Sequence, residues 1–225
     1  MNKICVATGW CAHAEPRTNT LGCQTQYDSN YLHDVWYPQI TKYIQPSQVH
    51  IYLSRCDIYP LLDLNWNYVH ANTQAKEQAH RRDWFSSIMT GAQYAFCNGM
   101  DLLFIEQDAL VNGLDKAIEW AQGKKIVYGF GELQSLYPEW AEQSFMLVSR
   151  EYIPKMLWEL NSRGFHEHIE KMKDVPERIW ARLFNTDADF WPFHGGRLRP
   201  CRFDQEFFSY QQLTEEQIKT FQDMQ

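Results

Sequence analysis

Six cysteines are spread over the chain, at positions 5, 11, 23, 56, 97 and 201, and no two of them make a CxxC pair or a metal-finger spacing. That excludes zinc-finger modules and dithiol redox chemistry. Several lie inside apolar runs, which predicts small buried hydrophobes in a reducing compartment. No apolar stretch reaches the roughly 18 residues that a membrane helix needs, and the apolar start of "MNKICVATGW" is too short for a secretion signal or an anchor. The expectation is a soluble cytoplasmic protein with no integral membrane segment. A dense Lys/Arg tract is also missing, and 21 basic against 28 acidic residues leave a net charge of -7. A surface that gains affinity by neutralising phosphates along a duplex does not arise from that balance, so no nucleic-acid partner is expected. Repeats and low-complexity linkers are absent too.

What is present is a core. The 225 residues are 44% hydrophobic, enough for one sizeable domain spanning 1–225. Aromatics make up 15%, with nine Trp and twelve Tyr. Such rings fill cores, and they also line sites for sugars and bases.

The pattern along the chain alternates. "KICVATGW" predicts a buried strand ending at Thr8-Gly9, followed by a long polar loop through "CAHAEPRTNTLGCQTQ". Apolar positions at helical spacing from Tyr27 to Ile44 predict a helix that Pro38 starts or kinks. "QVHIYLSRCD" and "NWNYVHAN" predict strands, and Gln78 to Phe96 a long helix that Asn98-Gly99 stops. Then come a strand at Leu102–Ile105, a helix near Leu114–Ala121, strands in "KIVYGFGE" and "SFMLVS", and helices near Arg150–Leu160 and in "DVPERIWARLF". Asp174, Pro176 and Glu177 form the cap of that last helix. Strands alternating with helices indicate an α/β fold with a mixed, mainly parallel sheet flanked by helices. Ligands of such sheets bind beyond the carboxyl ends of the strands.

One motif falls at such an end. Four apolar residues, Leu102 to Ile105, run into Glu106-Gln107-Asp108. Strand alternation would send both carboxylates to one side, where like charges repel unless a cation lies between them or one is protonated. Paired oxygen donors suit a hard divalent cation, Mg²⁺ or Mn²⁺. The ordinary alternative is one carboxylate at the surface and the other capping a turn.

An acidic-x-Asp motif at a strand end, about a hundred residues after a "VATG" first strand and preceded by a long helix carrying Arg, resembles the GT-A class of nucleotide-sugar glycosyltransferases. The family usually shows DxD where this chain has "EQD". The resemblance implies a single GT-A-like, Rossmann-like domain whose nucleotide-binding part is about 1–111 and acceptor-binding part about 112–225. It implies a UDP- or GDP-sugar donor, a glycan or glycoconjugate acceptor, and Mn²⁺ or Mg²⁺ held by Asp108, Glu106 and His194 of "FHGGRLRP". It further implies that Thr8, Gly9, Trp10, Asp57, Arg81, Arg82, Gln107, Gly195, Gly196 and Arg197 contact the nucleotide. An arginine grips a diphosphate bidentately, and glycines let backbone approach it. For the group that deprotonates the acceptor hydroxyl the choice is among Glu132, Asp187 and Asp189, with Glu142 and Glu177 also weighed. Asp187 and Asp189 adjoin Phe190, Trp191 and the histidine loop, and Trp140 and Trp191 could stack on sugar faces.

Two other classes compete. A Mg²⁺-dependent nucleotidyltransferase or phosphohydrolase would favour a GxxxxGK[ST] loop after the first strand, which this sequence lacks. A non-catalytic carbohydrate-binding domain would need the aromatics and no metal.

Overall fold

The computed structural model describes residues 3–10, 17–18, 24–25, 27–45, 48–53, 67–70, 79–130, 141–162, 176–192, 195–196 and 200–224. Its centre is a seven-stranded sheet in the order β10-β8-β9-β6-β1-β4-β5. These strands are β1 (Ile4–Trp10), β4 (Val49–Leu53), β5 (Asn67–His70), β6 (Asp101–Ile105), β8 (Ile126–Phe130), β9 (Ala141–Val148) and β10 (Ala188–Phe190). All run parallel except β9, which is antiparallel to both β6 and β8. The mixed, mainly parallel sheet flanked by helices is the architecture read from the sequence.

The apolar runs explain why the sheet is central. Along β1, Cys5 and Ala7 face one core while Ile4, Val6 and Trp10 face the other; β6 divides Leu102 and Phe104 from Leu103 and Ile105 in the same way. A strand with both faces apolar is stable only between two covering layers. One layer is α2 (Ala79–Cys97), α4 (Ile153–Ser162) and α5 (Pro176–Phe184), which bury Phe85, Ile88, Ile153, Met156, Leu160, Trp180 and Phe184. Ile153, Met156 and Leu160 recur at helical spacing, and burying each contributes roughly 1.5–3 kcal/mol.

The opposite layer is less regular. A π-helical turn, Leu32–Trp36, runs into α1 (Tyr37–Thr41), and α3 (Leu114–Trp120) and α6 (Glu215–Met224) also lie on that side. Proline explains the wide turn. Pro38 has no N–H to give the Asp34 carbonyl four residues back, so the ladder widens: the Tyr37 N–H bonds to Leu32 O, and Asp34 O accepts the Gln222 side-chain amide of α6 at 3.4 Å. A small sheet lies on the same face, built from β11 (Gly195–Gly196), β12 (Phe208–Tyr210) and β7 (Leu110–Asn112). β2 (Arg17–Thr18) and β3 (Gln24–Thr25) pair inside the segment read as a polar loop. Among the described residues no helix is long and apolar enough to cross a membrane.

Candidate functional site at the carboxyl edge of the sheet

The Glu106-Gln107-Asp108 motif sits where β6 ends, but not as strand. The ladder to β9 stops at Ile105 opposite Phe145, the Glu106 N–H makes one more bond to Ser144 O at 2.8 Å, and the chain then turns, with the Ala109 N–H bonded back to Glu106 O at 3.0 Å. The two carboxylates therefore belong to a four-residue turn, and the strand alternation expected to aim them to one side does not reach them. Glu106, Gln107 and Asp108 are all half-buried.

The helix packed beside this turn holds it by its backbone. Trp36 donates Nε1–H to Glu106 O at 3.0 Å, Gln39 donates Nε2–H to Ala109 O at 3.1 Å, and Gln39 Oε1 accepts the Val111 N–H at 2.6 Å. Trp36 is fully buried and Gln39 nearly so. Tyr31 comes from the preceding turn. Burial first, and then the negative charge of Asp108, raise its phenol well above the ordinary value, so it stays a neutral O–H beside that carboxylate. Tyr27 packs on Tyr31 with ring centroids 4.4 Å apart, and Trp10 lies 6.3 Å from Tyr27.

The expected nucleotide-contacting residues that are described fall in three places. Thr8, Gly9 and Trp10 end β1 on the carboxyl edge, as read from the sequence. Thr8 and Trp10 have no exposed surface, and Gly9 lets α2 approach so closely that a Cβ there would meet Ser87 Oγ at 2.6 Å. Arg81 and Arg82 fall in the first turn of α2, which runs back against the parallel strands and so starts on this side of the sheet. Gly195 and Gly196 pair with Ser209 and Tyr210 of β12, which pairs in turn with β7 directly after the motif. Close packing accounts for glycine at 195, since a Cβ would lie 2.3 Å from Ser209 O. Asp57, Glu132, Trp140, Asp174, His194 and Arg197 lie outside the described residues.

Two of the expected catalytic carboxylates are not brought to the motif. Asp187 precedes β10, whose Ala188 shares a row with Ile126, Val148 and Leu102. From that row Glu106 is four residues along, about 13 Å, and three strands across, about 14 Å. Asp187 is instead an ion-pair hub: Lys125 donates to Oδ1 at 3.0 Å, while Lys155 and the Tyr152 hydroxyl (2.9 Å) donate to Oδ2. The lysine contacts foremost hold it below the usual carboxylate range, which makes it a poor proton acceptor. Asp189 sits on the outermost strand, 3.4 Å from Lys124. A three-residue strand thus carries Asp187 away from the aromatic stretch it adjoins in sequence. Trp191 is a core residue, stacked on Phe145 at 4.8 Å and donating Nε1–H to Phe145 O at 2.8 Å.

Among the described residues, Glu142 is the weighed carboxylate that the fold brings close. It is the second residue of β9, beside a bulge where the β8 partner jumps from Met146 to Glu142, and it lies two residues from the Ser144 that pairs with Glu106. Its Oε1 accepts the Gln211 amide at 2.6 Å. A cavity of about 480 Å³ opens at the opposite, amino edge, lined by Ile4, Asp101, Lys124, Lys125, Leu147 and Ser149 among others, and among the described residues none of the expected site residues lines it.

Among the described residues no group of three or more His, Cys, Asp and Glu is gathered to hold a metal. Glu106 and Asp108 alone still fit one class of ion. Mg²⁺, and Mn²⁺ with it, is commonly held by one or two carboxylates together with substrate phosphate oxygens and water.

The fold resembles that of a solved glycosyltransferase. The crystal structure of a glycosyltransferase involved in the glycosylation of the major capsid of PBCV-1 matches 99% of this chain and 100% of its own with a TM-score of 0.52. Identity is 11%, so the likeness is one of fold. A mannose-1-phosphate geranyltransferase from Thermus thermophilus matches 81% of this chain and 68% of its own at 11% identity and a TM-score of 0.44, too low to weigh. No family model matches the chain, and no curated protein does.

Proposed function

We propose that this chain is a metal-dependent glycosyltransferase that moves a sugar from a UDP- or GDP-sugar to a hydroxyl of a glycan or glycoconjugate. The observation that supports it is the Glu106–Ala109 turn: two half-buried carboxylates at the carboxyl end of a central parallel strand, in a fold like that of a solved glycosyltransferase. Asp108 would hold Mn²⁺ or Mg²⁺ directly, Glu106 directly or through water, and His194 is the further proposed ligand. The ion, when bound, supplies Lewis-acid stabilisation of the leaving diphosphate.

The remaining roles belong to the protein. Arg81, Arg82 and Arg197 neutralise diphosphate oxygens, while the main chain at Gly195 and Gly196 approaches them. Gly9, Asp57 and Gln107 position the nucleoside, and Thr8 and Trp10, which have no exposed surface, support that edge from behind. In the transfer, the acceptor oxygen forms a bond to the anomeric carbon, the bond from that carbon to the diphosphate oxygen breaks, and the electron pair leaves with the nucleoside diphosphate. The acceptor proton passes to a carboxylate or to water. With Asp187 committed to two lysines, Glu142 and Glu132 are the carboxylates we favour for that proton.

The test is a panel of UDP- and GDP-sugars incubated with the protein and Mn²⁺, with free nucleoside diphosphate measured. Release from one donor that EDTA abolishes is the expected result. Absence of release from every donor, with and without a mixture of acceptor glycans, contradicts the reading.

A further inference from the structure

The helix beside the acidic turn contains a buried amide that packing alone does not call for. Gln39 lies in α1 between Tyr37 and Thr41 with 2% of its surface exposed. A glutamine in such a place costs free energy unless its amide is fully engaged. Both of its ends are engaged by one short piece of chain. Nε2 gives to Ala109 O at 3.1 Å and Oε1 takes from Val111 N at 2.6 Å, so the side chain closes a bridge across Ala109–Val111, directly after Asp108. One turn earlier Trp36 fixes Glu106 O at 3.0 Å. The acidic turn is thus held on both sides of its carboxylates, by two side chains of one helix. Trp36 closes the π-helical turn that Pro38 imposes, and Gln39 follows that proline. Three residues apart at the start of α1, the two side chains lie on one face of the helix.

We propose that Gln39 is a positioning residue for cation binding: by bridging Ala109 O and Val111 N, it sets the turn so that Asp108 and Glu106 hold a divalent cation against a nucleoside diphosphate. This rests on the functional reading above and adds to it the element that orients the carboxylates. Groups that orient metal ligands without touching the metal typically control its affinity by 10–100-fold. The expected effect therefore falls on cation-dependent binding.

The experiment uses the full chain and two variants. Gln39→Met keeps length and volume but removes both hydrogen bonds, while Ile40→Val trims a fully buried neighbour that makes no hydrogen bond to the turn. UDP and, separately, GDP are titrated by calorimetry with saturating Mn²⁺ and again in EDTA, and amide exchange is followed at Val111. For Gln39→Met we expect affinity in Mn²⁺ to fall roughly tenfold, with affinity in EDTA unchanged and exchange at Val111 faster; Ile40→Val should match the parent in both titrations. Parental affinity of Gln39→Met in Mn²⁺ overturns the positioning role and leaves the functional reading standing. Equal losses with and without Mn²⁺ overturn it too, because they mark general damage to the fold. If the parent itself shows no Mn²⁺-dependent binding of either nucleotide, the functional reading fails and the role of Gln39 fails with it.

Discussion

Trp36→Phe tests how firmly the helix holds the acidic turn. Trp36 is fully buried, and its indole N–H reaches Glu106 O at 3.0 Å. Phenylalanine removes that donor and leaves a gap where the second ring lay. The hydrogen bond contributes about 1 kcal/mol net; the Glu106 carbonyl keeps the Ala109 N–H at 3.0 Å, so the full cost of an orphaned acceptor does not apply. The lost ring atoms amount to about two methylene equivalents, each near 0.8 kcal/mol. Together these give a destabilisation of about 2.5 kcal/mol, which for a chain of this length lowers Tm by roughly 5–10 °C. Equilibrium urea unfolding, followed by circular dichroism and fluorescence, measures it directly, with unchanged slope as the check that the native state is intact. A loss below about 0.5 kcal/mol would refute the reasoning, since it would mean that neither the bond nor the packing of this ring stabilises the fold.

Two further outcomes follow from titratable groups. The Asp187 carboxyl is held below the usual range by Lys155, Lys125 and Tyr152, so in the folded protein it stays ionised where the unfolded chain, near 3.9, takes up a proton. Its contribution is therefore complete above about pH 4 and fades as pH falls through the lower folded value; the stability difference between parent and Asp187→Asn should be largest at neutral pH and shrink in acid, and a gap that is constant from neutral pH down to about 2.5 contradicts it. Burial pushes the Cys5 thiol up to about 12, while Cys97 is exposed. Iodoacetamide at about pH 8 should label Cys97 and spare Cys5 until the chain unfolds, and equal labelling in site-resolved mass spectrometry would count against that burial.

How much of this was legible depended on what set each element. The strands β1, β6 and β9 and the helices α2 and α4 announce themselves, because apolar runs and helical spacing are imposed by burial on two faces or one. The short strands were invisible: "ADF" at Ala188–Phe190 and "FSY" at Phe208–Tyr210 are strands because of the partners they meet, not through any propensity of three residues. That omission is what misplaced Asp187, since the missed strand carries the chain across the sheet. The final helix was readable after all. Thr214 and Gln217 form a reciprocal capping box, with Gln217 N 3.3 Å from Thr214 Oγ1 and Thr214 N 3.0 Å from Gln217 Oε1, just ahead of Glu215–Met224 with its buried Phe221. In the site, the position of Glu106 and Asp108 was legible from the apolar run before them, but their geometry was not, because strand alternation stops at Ile105 and the chain turns through Glu106–Ala109. Trp36 and Gln39 left no signal, for a polar residue on an amphipathic helix looks the same whether it faces water or a turn seventy residues away.

The central claim is that Asp108 holds a cation against a nucleoside diphosphate, and nucleotide affinity measured with and without Mn²⁺ tests it most directly. For the parent, Mn²⁺ should strengthen binding of UDP or GDP, and Asp108→Asn should remove at least about tenfold of that gain, roughly 1.4 kcal/mol, with an unchanged melting profile. A variant that binds as tightly as the parent in Mn²⁺ would contradict the claim.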